Sequence, residues 1–157
     1  MCLRLYALNR DKALTPTYIK VAVVGLNGRK VRLMSVNVPL EAEEQCTFFE
    51  IAQLILTPTQ YQLLFAVPNG GKRHIRTAIN LKREGVKPGV PDIIFAYPTK
   101  KYHGMFIEMK RQKGGVVSEE QKAMIDKLNE VGYYTTVCKG CDEAVREIKG
   151  YLGMKDV

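Results

Sequence analysis

Two short apolar runs near the middle of the chain have the length and composition of β-strands. They are Asp92–Tyr97 and Met105–Met109, and the polar segment Pro98–His103 joins them. Apolar runs on either side of a turn-forming segment are typical of a β-hairpin. Antiparallel pairing about the middle of that segment places Asp92 opposite Glu108. Because directly opposed Cβ atoms lie roughly 4.5–5.5 Å apart, the pattern predicts two carboxylates on one face of a sheet.

Helical periodicity and further apolar runs predict the elements on either side of this hairpin. The predicted helices are Glu41–Leu56, Thr77–Glu84, Ser118–Val131 and Asp142–Leu152, and the predicted strands are Tyr61–Val67 and Tyr133–Cys138. The core order is therefore helix, strand, two-stranded hairpin, helix, strand and helix. Strand pairs with helices between them are typical of an α/β fold, in which helices cover both faces of a mixed sheet.

A second hairpin is predicted near the start of the chain, over residues 18–36. Asn27-Gly28 stands there between two runs rich in β-branched residues, which is the strongest short-range hairpin pattern. An isolated hairpin is only marginally stable, so we expect it to pack on the rest of the protein. Contact with a second subunit or with a substrate is the alternative. We divide the chain into an N-terminal extension, residues 1–39, and a main domain, residues 40–157.

The paired carboxylates of the central hairpin indicate a particular chemistry. Two adjacent acids are unfavourable unless a cation neutralises them, and oxygen ligands suit Mg²⁺ or Mn²⁺. Side chains alternate along a strand, so Lys110 lies on the same face as Glu108. Its ammonium group can stabilise developing negative charge or orient a water. The pattern predicts a metal site that hydrolyses phosphodiesters. The alternative is that the acids are solvated at strand ends and that the Glu-x-Lys pair has no function.

The charge distribution favours a polyanionic substrate. The 157 residues suit one domain with an appendage, and their net charge is +8. Residues 68–89 have a balance of +5 and residues 99–113 a balance of +4, so the rest of the chain is slightly negative. Clustered positive charge around paired acids suits nucleic acid, whereas charge for solubility would be spread evenly. The candidate DNA-backbone contacts are Asn69, Lys72, Arg73, Arg76 and Lys113.

Several other functions are disfavoured by the sequence. Cys138 and Cys141 could indicate zinc or thiol redox chemistry, but no second Cys or His pair with zinc spacing accompanies them. We therefore expect Cys138 to end a buried strand and Cys141 to begin a helix. The glycine-containing basic loop lacks P-loop spacing, so no nucleotide cofactor is expected. No apolar run approaches about 20 residues and no secretory signal is evident, so we expect a cytoplasmic protein without a membrane partner.

Three side chains on the predicted helices are candidates to reach the paired acids. Glu41 and Glu44 lie on or beside the apolar stripe of the first helix, although acids in a first turn also simply favour the helix dipole. Gln121 has two interpretations. It completes a capping box with Ser118, or it reaches the acids and positions a water or a phosphate.

Several segments, taken together and in order, resemble the VRR-Nuc family of the PD-(D/E)XK nuclease superfamily, which includes small standalone phage and bacterial nucleases. The matching segments are EAEEQ (41–45), PNGGKR (68–73), LKREGVKPGVPDI (81–93), YHGMFIEMK (102–110), SEEQ (118–121) and GYYTTVC (132–138). Two features depart from the family pattern: Cys141 replaces a residue that is often aromatic, and the hairpin before residue 40 has no counterpart.

The resemblance implies a restriction-endonuclease-like αβββαβ core and a DNA endonuclease that uses Mg²⁺ or Mn²⁺. It also implies branched DNA such as a Holliday junction as substrate, and a homodimer. If the protein is phage-encoded, the expected cytoplasm is that of a bacterial host. A nuclease of flap or single-stranded DNA, or a non-catalytic nucleic-acid binding module, is the alternative. The site residues implied are Asp92, Glu108 and the Met109 carbonyl as metal ligands, Lys110 as the catalytic lysine, Glu41 or Glu44, and Gln121.

Overall fold

The computed structural model of this chain describes residues 39–68 and 75–154. The predicted hairpin at residues 18–36 lies outside the described residues, and so do Asn69, Lys72 and Arg73 of the basic loop. The backbone of Arg76 is described, but its side chain is not.

The described residues form a four-stranded mixed sheet with helices on both faces. In chain order the elements are α1 (Glu41–Ile55), α2 (Pro58–Gln62), β1 (Leu64–Ala66), α3 (Ile75–Arg83), β2 (Ile93–Phe95), β3 (Met105–Lys110), α4 (Glu119–Glu130), β4 (Tyr134–Lys139) and α5 (Cys141–Leu152). The strand order is β1-β2-β3-β4; β1–β2 and β2–β3 are antiparallel, and β3–β4 is parallel. The predicted α/β class is confirmed.

The start of the predicted strand Tyr61–Val67 is wrong. Helix α2 extends to Gln62, and the strand that follows is only Leu64–Ala66. Residues 61 and 62 are helical because a capping box starts helix α2 directly before them. Thr57 Oγ1 accepts from the Gln60 N–H at 3.3 Å, and Gln60 Oε1 accepts from the Thr57 N–H at 3.0 Å. Pro58 at the first helical position also favours the helical turn.

The core is built on one face of β3. Met105, Ile107 and Met109 have no exposed surface and belong to one cluster with apolar side chains of α1 and α5. Burying each side chain of this size contributes roughly 1.5–3 kcal/mol. Side chains alternate along a strand, so Glu108 and Lys110 lie on the opposite face, toward α4. Because the apolar face holds β3 in place, it also determines the position of the two charged side chains.

None of the helices in the described part of the chain is long and apolar enough to cross a membrane.

Candidate active site

The β2–β3 hairpin brings Asp92 and Glu108 together at one end of the sheet. Ile94 pairs with Phe106, which is the antiparallel register predicted for the hairpin. Continued by two residues, this register places Asp92, directly before β2, opposite Glu108. Asp92 Oδ2 accepts a hydrogen bond from the Met109 N–H at 3.0 Å. The backbone of β3 therefore holds the Asp92 carboxylate beside that of Glu108.

The two oxygens of Glu108 have different surroundings. Glu108 is only 1% exposed, and its Oε1 accepts hydrogen bonds from Lys110 Nζ at 2.5 Å and from Gln121 Nε2. Its Oε2 is buried and has no hydrogen-bond partner within the described part of the chain. A buried polar atom without a partner costs roughly 1–3 kcal/mol, and more when it is charged. A hydrogen-bond donor or a cation at Oε2 would remove this cost, and the neighbouring Asp92 charge favours a cation over a neutral donor.

The pKa of Glu108 also indicates a position suited to a cation. Burial raises this pKa from 4.5 to about 7; the hydrogen bond from Lys110 lowers it, and the neighbouring Asp92 charge raises it. A divalent cation between the two carboxylates would stabilise the ionised form of both. The raised pKa of Glu108 thus reflects burial first and the Asp92 charge second, and the Lys110 ammonium group opposes both only in part.

The donor set fits a hard divalent ion that keeps part of its hydration shell. Across residues 39–68 and 75–154, no group of three His, Cys, Asp or Glu side chains forms a metal-binding cluster. The site offers two carboxylates, and the Met109 carbonyl is the third ligand that the family resemblance implies. Magnesium is commonly held by one or two carboxylates, with waters and substrate phosphates as its other ligands. The two-carboxylate site suits Mg²⁺ or Mn²⁺ better than a metal that needs an all-protein cage.

Gln121 makes both of the contacts that the sequence offered as alternatives. Ser118 Oγ accepts from the Gln121 N–H at 3.2 Å, and Gln121 Oε1 accepts from the Ser118 N–H at 2.9 Å, which forms the capping box. The other end of the same amide donates to Glu108 Oε1. The cap therefore orients the Gln121 side chain, and the Nε2 of Gln121, which the cap does not use, donates to one Glu108 oxygen.

Glu44 lies in a separate buried network. It is 4% exposed; its Oε1 accepts from Gln112 Nε2 and its Oε2 from the Cys141 N–H, each at 2.9 Å. The second contact places a carboxylate at the start of α5, where it complements the helix dipole. Glu44 thus joins α1 to α5 and to the turn after β3. Glu41, one turn earlier on α1, is half-buried.

The basic cluster predicted over residues 99–113 is divided between the two ends of the hairpin. Lys113 is exposed and follows β3, at the end of the sheet where Asp92 and Glu108 lie. Lys100 and Lys101 are exposed in the hairpin turn at the opposite end. Of the five predicted backbone contacts, Lys113 alone has a described side chain.

The cysteine pair has the structural character expected from the sequence. Cys138 is buried in β4 and Cys141 begins α5 with 5% exposure. Burial raises the pKa of each thiol to about 12. Thiol chemistry requires the thiolate, which is scarce at neutral pH when the pKa is so high. Redox chemistry at this pair is therefore disfavoured.

A mixed sheet flanked by helices, with an aspartate facing a Glu-x-Lys strand at one end, defines the class of restriction-endonuclease-like nucleases. The family model for the VRR-NUC domain matches residues 42–142, and the chain belongs to this family. A solved structure described as a VRR_NUC domain protein is similar, with 27% sequence identity and a TM-score of 0.67, covering 77% of this chain and 94% of that one. Comparison with curated proteins finds no match. The predicted family is confirmed, and membership implies a nuclease-type function.

Proposed function

We propose that this protein is a DNA endonuclease that hydrolyses phosphodiester bonds with Mg²⁺ or Mn²⁺. The observation that supports this most strongly is the Asp92–Glu108 pair, in which Asp92 is half-buried, Glu108 is buried, and Glu108 Oε2 has no hydrogen-bond partner among the described residues. An unpartnered carboxylate oxygen beside a second carboxylate has little use in a purely structural site. It has a direct use in holding a divalent ion.

The roles of the individual side chains follow from their contacts. Asp92 and Glu108, with the Met109 carbonyl, would hold the ion, which when bound would stabilise negative charge on the phosphate. Lys110 donates to Glu108 Oε1, so its ammonium group would lie near a phosphate bound to that ion, where it could orient or help deprotonate a water. Gln121 holds the Glu108 carboxylate in one orientation.

The proposed substrate is branched DNA, in particular a Holliday junction, cleaved by a homodimer in the cytoplasm. The resemblance to small standalone members of the family and the net charge of +8 support this proposal. A two-fold dimer would place two active sites on opposing strands. Residues 40–157 would form the nuclease domain, with residues 1–39 as an extension. The proposed backbone contacts are Asn69, Lys72, Arg73, Arg76 and Lys113.

A panel of labelled DNA substrates tests the proposed function. A four-way junction, a flap, a nicked duplex, an intact duplex and a single strand of matched sequence would be incubated with Mg²⁺, with Mn²⁺ or with EDTA. We expect cleavage only with metal, and fastest on the junction. Faster cleavage of the flap or the single strand would show that this DNA, and not the junction, is the preferred substrate. Tight, salt-sensitive binding without cleavage in either metal would instead indicate a binding module.

Substitution of Glu44 decides between a structural and a catalytic role for this residue. We expect Glu44→Gln to retain activity within about threefold, because an amide oxygen can still accept from the Cys141 N–H, and Gln112 can rotate to accept from the new amide. Glu44→Ala leaves both donors without an acceptor, and should lower the free energy of unfolding by roughly 1–3 kcal/mol. Urea denaturation and the nuclease assay measure the two effects.

The matched control is Glu50→Gln, an exposed acid on the same helix, which should change neither quantity. If Glu44→Gln cleaves DNA at least 100-fold more slowly while its stability is unchanged, then the charge of Glu44 belongs to the catalytic site.

A further inference from the structure

The loop between α3 and β2 contacts the first turn of α4 more closely than a side chain would permit. Gly89 in this loop has φ +78°, in the left-handed region that residues other than glycine rarely adopt. A Cβ atom at this position would lie 2.3 Å from the Glu120 carbonyl oxygen and 2.9 Å from the Gln121 backbone nitrogen. Both atoms belong to the backbone and cannot move aside as a flexible side chain could.

The two segments that meet at Gly89 each position one side chain of the active site. The loop continues through the fully buried Pro91 to Asp92. The α4 turn holds Gln121, whose amide donates to Glu108 Oε1. The close approach therefore lies between the segment that places Asp92 and the turn that places Gln121.

We propose that Gly89 is a positioning residue: the absence of a side chain there lets the first turn of α4 approach the β2 loop closely enough for Gln121 to hold Glu108. Ordinary contact with a Cβ atom begins near 3.4 Å, so a methyl group at 2.3 Å would displace the turn by about 1 Å. A hydrogen bond lengthened by that amount is lost. The importance of this contact for catalysis rests on the function proposed above. The existence of the contact does not depend on that function.

Gly85 offers a matched control in the same loop. Its φ is +97°, also in the left-handed region, but a Cβ atom there would meet no heavy atom within 4 Å. Gly85→Ala therefore introduces the backbone strain of a left-handed alanine without the collision. Any effect of Gly89→Ala beyond that of Gly85→Ala reports the contact with α4.

A double-mutant cycle on the preferred DNA substrate tests the proposal. We expect Gly89→Ala and Gln121→Ala each to lower kcat by about 10–100-fold with little change in KM, as for other residues that orient a metal ligand. Gly85→Ala should stay within about threefold of the unmodified protein. Because Gly89 acts through Gln121, the double variant should be no slower than Gln121→Ala alone. Multiplicative effects, or equal effects of Gly89→Ala and Gly85→Ala, would overturn the proposal.

An NMR measurement keeps the test independent of nuclease activity. The side-chain amide signals of Gln121 should move to solvent-like positions in Gly89→Ala and remain in place in Gly85→Ala; unchanged signals in Gly89→Ala would overturn the proposal. If Gly89→Ala does not fold, the unmodified protein still provides a test. A nuclear Overhauser effect between the Gly89 α-protons and the Gln121 amide proton supports the contact, and its absence refutes it. Absence of cleavage by the unmodified protein would instead count against the proposed function alone.

Discussion

The Asp92→Asn variant is expected to cleave DNA about 10²–10³-fold more slowly than the unmodified protein, in either Mg²⁺ or Mn²⁺. Asparagine keeps the shape of the side chain and can still accept from the Met109 N–H, but it removes one of the two charges that would hold the ion. A bound metal contributes several kcal/mol of charge stabilisation in the transition state, and each 1.4 kcal/mol changes the rate about tenfold. Initial rates across a range of metal concentrations measure the effect.

Asp126→Asn is the matched control, because Asp126 is an exposed acid on α4 and the substitution removes the same charge. We expect its rate to remain within about twofold of the unmodified protein. Undiminished cleavage by Asp92→Asn would show that the metal, if one is used, is held elsewhere.

The Lys110→Met variant is expected to lower kcat by about 10²–10³-fold, the usual cost of losing one group that stabilises transition-state charge. Methionine retains much of the length and apolar character of the lysine side chain, so the packing around this buried position should change little. The hydrogen bond from Lys110 also lowers the pKa of Glu108, so its loss should raise this pKa from its value of about 7. Single-turnover kinetics measure the chemical step directly.

Lys139→Met provides the control on the neighbouring strand. Lys139 pairs with Lys110 in the β3–β4 register, but its side chain is exposed. Its substitution should leave kcat within about threefold, and circular dichroism should show that both variants are folded. Equal losses in the two variants would mean that the lysines contribute only general positive charge.

Much of the site follows from local pattern. The hairpin register depends on strand alternation and on the short turn between two apolar runs, so the pairing of Asp92 with Glu108 was predictable from the sequence. The capping box at Ser118 and Gln121 was predictable for the same reason, since it depends on residues three apart. The start of β1 was predicted wrongly. The capping box between Thr57 and Gln60, which ends directly before the predicted strand, outweighed the strand preference of the apolar residues.

Other parts of the site depend on contacts between distant segments. Glu44 lies 68 residues from Gln112 and 97 residues from Cys141, so no periodicity in the first helix indicates those partners. The sequence offered a cap and a contact with the acids as alternatives for Gln121, but it did not predict that one side chain makes both. Gly89 is a residue that the sequence could have suggested, because glycine is the default residue where a loop needs a positive φ or a close backbone approach. Its contact with α4 was not visible there.

The sequence by itself determined the hairpin that joins the two carboxylates, the lysine on their face and the family to which the chain belongs. These features depend on alternation and spacing over a few residues, which local sterics and hydrogen bonding enforce. The tertiary structure decided which helix side chains meet the acids and which are used elsewhere. Packing of α1, α4 and α5 against the sheet sets those distances, because it depends on side-chain volumes that come from widely separated parts of the chain.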